Sequence, residues 1–361
     1  MGTNILAPGG VPDTARIDSL AVDIAALKSR GIMPILVSSG AIGFGVRALG
    51  LETRPHKVEM KQACAAIGQP ELMRRWQSAL GRGGLTAAQI LLSREVFDDR
   101  KSFLNLKNAM ESILELGVVP VINENDSVCT TEIGDVFGDN DSLSAHVASK
   151  LEAGLLIILT DIDALYDKDP RTHPEARPIR IVEKVSKEHY VSAGEPGSEL
   201  GTGGMATKLH AAEIAARAGC RTVIADGREP GTLIRILDGE ETGTLFLAGP
   251  RMGARSRWIL SARSRGSIRV DEGAMAALGE RKSLLARGIV GVDGAFEAGE
   301  VVSIGGDYKA VTSMSSEEIR AVQGRHGRSV KDVLGEGRRE EVVSADDIVK
   351  EDSYGKTHQT R

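Results

Sequence analysis

Short apolar runs alternate with stretches of helical periodicity from the start of the chain to about Phe246. This alternation predicts an α/β fold, with βαβ units around a mostly parallel open sheet flanked by helices. The runs Met33 to Val37, Val118 to Ile122, Leu155 to Leu159 and Thr222 to Ala225 read as strands covered on both faces. Phe103, Leu106, Met110, Ile113 and Leu114 recur at helical spacing, and Gly117 stands where a C-terminal cap belongs, so a helix feeds the second of these strands. Ligands of open α/β sheets collect at the carboxyl ends of strands, which directs attention to the loops SSGAIG, NENDSV and TDIDALYD.

Beyond Phe246 the pattern changes. The stretch LAGPRMGARSRW is rich in Gly, Pro and Arg, and after it short strand-like runs with glycine turns replace the βα alternation. The expected division is an α/β domain over 1–250, a small mixed β domain over 264–350 and a polar tail over 351–361. In the second domain, strands are expected at Ser267 to Val270, within Leu284 to Val292 and at Glu300 to Ile304. Helices are expected at Glu272 to Ala277 and after Ser315, with Glu318 as capping-box partner.

Composition narrows the class. A chain of 361 residues is long enough for two domains that each bury a core. Its 41% hydrophobic and 26% charged residues are those of a soluble globular protein, and no apolar run reaches the roughly 18 residues of a membrane span. The opening MGTNILAPGG has neither a secretory nor an import pattern, so a cytoplasmic location is expected. Cys64, Cys129 and Cys220 form no CxxC pair, which suits a reducing compartment. The seven histidines show no zinc-ligand spacing, and His210 with Glu213 one turn later reads as a solvated helix face, so no structural metal is expected. A net charge of −5 argues against wholesale binding to a polyanion. The exception is Arg251 to Arg269, with six arginines and no acidic residue, although 3% aromatic content offers no stacking platform for single-stranded RNA.

Four segments carry candidate chemistry. In LGTGGMATKLHAAEIAARAG a glycine-rich turn precedes an amphipathic helix with Lys208 in its first turns. Close backbone N–H groups, a helix N-terminus and a lysine together make a phosphate site, although a turn followed by a surface lysine explains the same letters. Neither the Walker pattern nor GxGxxG is present. In VVPVINENDSVCTTEIGDVFGDND a strand gives way to Asn123, Glu124, Asn125 and Asp126, then Asp139, Asn140 and Asp141. Acids at a carboxyl strand end suit an ammonium group or a metal, against the plain alternative of a solvated loop. In LLIILTDIDALYDKDPR, Thr160 and Asp161 end a strand, which a helix cap would also explain; in SSGAIGFG, Ser38, Ser39 and Gly40 offer hydroxyls and backbone donors to an anion, or simply cap a helix.

Taken together, in this order and spacing, SSGAIG, PVINENDSV, FGDND, LTDIDALYDKDPR and GTGGMATK resemble the amino acid kinase superfamily, and within it the glutamate 5-kinase family. GSIRVDEGAMAAL and GAFEAGEVV are similar to the PUA domain that closes those enzymes. The resemblance implies the amino acid kinase fold and phosphorylation of the γ-carboxylate of L-glutamate by ATP with Mg²⁺, the first step of proline synthesis. It implies glutamate contacts from Ser39, Gly40, Asp126 and Asn140. Nucleotide contacts would come from Thr160, Asp161, Thr202, Gly203, Gly204, Met205, Ala206, Thr207 and Lys208, with Lys208 and Asp161 in catalytic roles and no protein metal ligand assigned. It further implies proline as feedback inhibitor, γ-glutamyl phosphate reductase as a partner and a homo-oligomer of two or four subunits. RNA is an open possibility for the PUA-like part.

The family pattern opens with a strand followed by Lys-x-Gly-Thr, and Met1-Gly2-Thr3 begins just after that lysine. The expectation is a start assigned too late. True loss of that transition-state donor would cost about two to three orders of magnitude in turnover. The alternative function is then a catalytically impaired kinase-fold protein with a regulatory or RNA-binding role; a third reading keeps catalysis but takes another small carboxylate or carbamate as acceptor.

Overall fold

The computed structural model describes residues 1–93, 95–128, 140–170, 172–193, 204–335 and 341–351. It forms two compact units, Met1–Arg251 and Met252–Arg361. In the first unit the chain runs through α1 (Thr14–Ser29), β1 (Leu36–Val37), α2 (Ala41–Ala48), α3 (Val58–Arg82), β2 (Ala87–Leu92), α4 (Arg100–Glu115) and β3 (Val119–Glu124). It continues through α5 (Asn140–Lys150), β4 (Leu155–Thr160), β5 (Ile181–Val182), α6 (Met205–Arg217), β6 (Arg221–Asp226), α7 (Thr232–Leu237) and β7 (Thr244–Phe246).

The strands form two sheets. β3 lies between β1 and β2 with all three parallel. The second sheet has the order β4-β6-β7-β5, with β4 and β6 parallel and β7 antiparallel to β6. Among the described residues no strand pairing joins the two sheets; the first two residues touch both. The Met1 ammonium donates to the Val37 carbonyl at 3.0 Å, and the Gly2 N–H donates to the Leu159 carbonyl at 3.1 Å. One apolar cluster nevertheless spans both halves, from Leu36, Val119 and Val121 to Leu159, with Leu20, Leu72 and Trp76 from the helices.

Each of the four expected strands is present with shifted ends. The first shrinks to Leu36–Val37 because Met33 is 62% exposed and cannot belong to a strand covered on both faces. β2 escapes the search for apolar runs because it lies at a sheet edge and its buried and exposed positions are mixed. The expected helix before β3 spans Arg100–Glu115, and Gly117 takes φ +75° after it.

The crossing of α2 and α3 sets side chains against the end of β1. A Cβ on Gly45 would stand 1.9 Å from the Cys64 carbonyl oxygen, and one on Gly68 1.9 Å from that of Ala41. Only glycine lets the two backbones meet so closely. The contact fixes the next residue, Gln69, against Asn123 of β3, and Trp76 two turns later against Ser38 at the end of β1.

The second unit opens with α8 (Ala254–Ser261), a helix inside the stretch that the sequence marks only by its Gly, Pro and Arg content. It continues with β8 (Gly266–Val270), α9 (Glu272–Gly279), β9 (Ile289–Gly294), β10 (Val301–Ile304), β11 (Tyr308–Val311), α10 (Ser316–Val322) and β12 (Ile348–Lys350). The five strands form a mixed sheet in the order β9-β8-β10-β11-β12, in which only β8 and β10 are parallel. Ile268, Val302, Ile304 and Ala310 of the sheet pack with Leu278, Ile319 and Val322. The expected capping box forms: Ser315 Oγ accepts from the Glu318 N–H at 3.2 Å, and Glu318 Oε2 accepts from the Ser315 N–H at 3.0 Å.

Candidate active site

Strand β1 ends in Ser38, whose N–H donates to the Ile122 carbonyl at 2.8 Å and extends the ladder with β3. Gly40 then turns the chain into α2 at φ +107°, a left-handed conformation that glycine adopts without strain. Neither serine caps α2, since Gly40 is its N-cap and makes no side-chain cap bond. The hydroxyls serve elsewhere. Ser38 Oγ accepts from Trp76 Nε1–H at 3.0 Å, and Ser39 Oγ accepts from Asn140 Nδ2 at 2.5 Å. Asn140 Nδ2 also donates to the Ser38 carbonyl at 3.2 Å and to Asn123 Oδ1 at 3.4 Å.

Asn140 and Asp141 open α5 and face different partners. Asp141 Oδ2 accepts from Lys208 Nζ at 2.8 Å and from Thr207 Oγ1 at 3.1 Å. Lys208 is only 5% exposed, so it is not the surface lysine of the plainer reading. Burying this pair excludes water from both charges, and removing either would strand the other. Lys208 occupies the first turn of α6, whose N-cap is Gly204; Met205, Ala206 and Thr207 supply the intervening backbone. Thr202, Gly203, Asp139 and Cys129 lie outside the described residues.

At the end of β4 Thr160 is buried and donates through Oγ1 to Asp161 Oδ1 at 3.1 Å. No helix follows, since the next element is the short strand Leu165–Tyr166, so these two residues are not a helix cap. The end of β6 lies alongside: the Gly227 N–H donates to the Thr160 carbonyl at 2.8 Å. Arg228 forks onto Asp226 from Nε and Nη2, and the carboxylates of Asp226, Asp161 and Asp163 all hold its guanidinium more firmly protonated. Asp126 follows β3 in a half-buried turn. Burial lifts its carboxyl from 3.8 to about 6, the neighbouring Glu124 adds to the rise, and Arg54 opposes it. A desolvated acid of this kind is a good partner for a cation.

The structure thus brings Ser39 and Asn140 into direct contact, places Gly40 beside them at the start of α2, and buries Lys208 close to Asn140 through Asp141. Three residues of the site went unassigned in the sequence. Asp141 stood in the acidic cluster without a role, and the carboxylate hydrogen-bonded to Lys208 is this one. Gln69 and Trp76 sit inside a helix with nothing in their spacing to mark them. The His210–Glu213 pair is also not the solvated face expected, since Glu213 accepts from the Tyr190 hydroxyl at 2.8 Å and its side chain is 13% exposed.

Comparison with known proteins bears on this arrangement. Residues 1–226 match the amino acid kinase family. The chain belongs to the amino acid kinase family. Residues 266–334 of this kinase-family chain match the PUA domain. Among its relatives, a protein of Methanosarcina mazei named glutamate 5-kinase is 45% identical over 341 residues, covering 93% of this chain and 89% of that protein. Proteins of the same name from Methanococcoides burtonii and Deinococcus radiodurans are each 44% identical, covering 96% and 97% of this chain and 94% and 98% of theirs.

The arginine-rich stretch is largely committed. Arg251 pairs with Glu152, Arg255 with Asp347, Arg265 with Glu300 and Arg269 with Asp293, while Arg257 is 7% exposed. Among the described residues no group of three or more His, Cys, Asp and Glu is placed to hold a metal ion, and no helix is long and apolar enough to cross a membrane.

Proposed function

We propose that this chain transfers the γ-phosphoryl group of ATP to the γ-carboxylate of L-glutamate, as the name of its relatives indicates for them. One observation carries the reading: consecutive residues, Asn140 and Asp141, reach Ser39 on one side and Lys208 on the other. Consecutive Cα atoms are about 3.8 Å apart, so an acceptor site at Ser39 and a phosphate site at Lys208 share one wall. A shared wall suits two reactants that must meet in line.

A glutamate side chain has an ordinary pKa near 4.3, so the nucleophile is already ionised at neutral pH and no general base is needed. The chain must bring two anions together and neutralise charge on the transferring group. Asp126 receives the substrate ammonium, Ser39 with the backbone after Gly40 receives a carboxylate, and Asn140 orients the molecule between them. The α6 N-terminus at Gly204 and the Lys208 cation fit a polyphosphate. Thr160 and Asp161 line the nucleotide side; Thr202 and Gly203, expected nucleotide contacts, lie outside the described residues. Asp141 is engaged with Lys208 and Thr207; Mg²⁺ bound with the nucleotide would supply further charge neutralisation to the transferring group. The product is an acyl phosphate that hydrolyses readily; a reductase that consumes it is the natural partner, and proline acts as inhibitor at or near the acceptor pocket.

The test is a split in kinetic constants. Asn140→Ala should raise the KM for glutamate at least tenfold with little change in the KM for ATP, whereas Lys208→Met should lower kcat by about two to three orders of magnitude. Equal effects of both variants on both substrates would overturn the assignment of two adjoining sites.

A further inference from the structure

Ser38 follows β1 with its side chain fully buried, and its hydroxyl has two partners, each able to play only one part. The Trp76 indole N–H, which can only donate, meets Ser38 Oγ at 3.0 Å. The single hydroxyl proton is left for the Ser39 carbonyl, which can only accept and lies 3.2 Å away. The Ser39 carbonyl has no other donor among the described residues. The peptide between Ser39 and Gly40 is trans, so its N–H points away from its carbonyl. With the carbonyl turned to Ser38 Oγ, the Gly40 N–H faces the opposite side, where it meets no acceptor among the described residues although Gly40 is buried. A buried backbone donor costs free energy until an acceptor arrives, and a substrate carboxylate is one. Gly40 leaves the orientation of this peptide open to change. Turning it over would carry φ from +107° into the negative range that every residue adopts, and would set the Ser39 carbonyl oxygen where the N–H now stands. A carboxylate would then meet an oxygen in place of a donor.

Resting on the reading of Ser39 and the backbone after Gly40 as carboxylate contacts, we infer that Ser38 is a positioning residue: its hydroxyl, pinned by Trp76, holds the Ser39–Gly40 peptide with the N–H turned to the substrate carboxylate. Ser38 does not touch the substrate in this scheme. The two adjoining serines thus have different tasks, Ser39 facing the ligand and Ser38 orienting the backbone donor beside it. The influence of Ser38 is confined to the acceptor, because the peptide it holds is not part of the phosphate site at Lys208.

The dipeptide Ser-Gly occurs once in the sequence, at 39–40. The full chain made by cell-free synthesis with carbonyl-¹³C serine and ¹⁵N glycine therefore gives a single carbonyl-to-amide NMR cross-peak, that of this peptide. Saturating L-glutamate should shift the Gly40 amide proton of the parent downfield, as a new hydrogen bond to a carboxylate does. Ser38→Ala should move the same cross-peak before any ligand is added. In titration calorimetry it should weaken glutamate at least about tenfold, the worth of one hydrogen bond to a charged group, and leave ADP within about twofold. A Gly40 amide that stays in place while the parent binds glutamate would overturn the proposal. So would a Ser38→Ala protein that weakens glutamate with its cross-peak at the parent position, since that is the mark of packing alone. If the parent binds no glutamate, the acceptor-site reading fails and this inference with it; if the parent binds glutamate and Ser38→Ala binds it equally well, only the role of Ser38 fails. Should Ser38→Ala not fold, Trp76→Phe, which removes the indole donor and keeps an aromatic ring, is judged by the same cross-peak and the same two ligands.

Discussion

Asp126→Asn should make the protein more stable and less able to bind substrate. The Asp126 carboxyl is lifted from 3.8 to about 6, chiefly by burial, so above pH 6 the folded chain carries a poorly solvated charge that the unfolded chain carries in water. A raised folded-state pKa means stability is lost as pH rises from about 4 to about 6, and the full penalty is present at pH 7.5. A rise of this size corresponds to about 3 kcal/mol, and partial exposure reduces this to about 1–3 kcal/mol. In a unit of this size that is about 3–10 °C in Tm. Thermal melts of parent and variant at pH 7.5 and pH 4 should show the variant ahead by that margin at the higher pH and level at the lower. Saturating glutamate should raise the Tm of the parent and raise that of the variant much less. An Asp126→Asn protein that is equal to or less stable than the parent at pH 7.5 would refute the idea of a strained carboxylate held for an ammonium ligand.

The same geometry sets further outcomes. Lys208→Met leaves the Asp141 charge buried without its lysine and should cost about 3–5 kcal/mol in urea unfolding; Lys208→Met/Asp141→Leu should recover most of that stability and none of the turnover. Gly68→Ala sets a methyl against the Ala41 carbonyl and should lose at least about 2 kcal/mol in urea unfolding. The KM for glutamate should rise as pH falls through about 6, because Asp126 gains a proton; a flat profile between pH 5 and 7.5 would contradict its role. Ser315→Ala removes a formed capping box and should cost about 1 kcal/mol, read as faster hydrogen exchange in the first turn of α10.

The parts legible in the sequence were those whose chemistry is local. Buried strands show as apolar runs, and hydroxyl, amide and glycine clusters at their carboxyl ends stand out because a loop rarely needs so many together. Lys208, Ser39 and Asn140 stand out in this way, and the structure sets Asn140 against Ser39 and buries Lys208. Residues that depend on what the fold brings near were not. Asp141 looks like one more acid in an acidic loop until Lys208 is seen against it. Gln69 and Trp76 read as ordinary positions of a long helix, and only the close crossing at Gly45 and Gly68 aims them at the site. The edge strand β2 lacks the continuous burial of a central strand, and the division into two sheets leaves no mark in periodicity. The arginines between Arg251 and Arg269 suggested a basic face, yet four of them meet carboxylates distant in sequence.

The most direct measurement is trapping of the acyl phosphate with hydroxylamine, with ATP and Mg²⁺ present and L-glutamate, L-aspartate or no acceptor supplied in parallel. Hydroxamate that forms with glutamate, in step with ADP release and well above the aspartate and no-acceptor reactions, is the expected result. ADP release without hydroxamate, or hydroxamate formed equally with aspartate, would contradict phosphorylation of the glutamate γ-carboxylate.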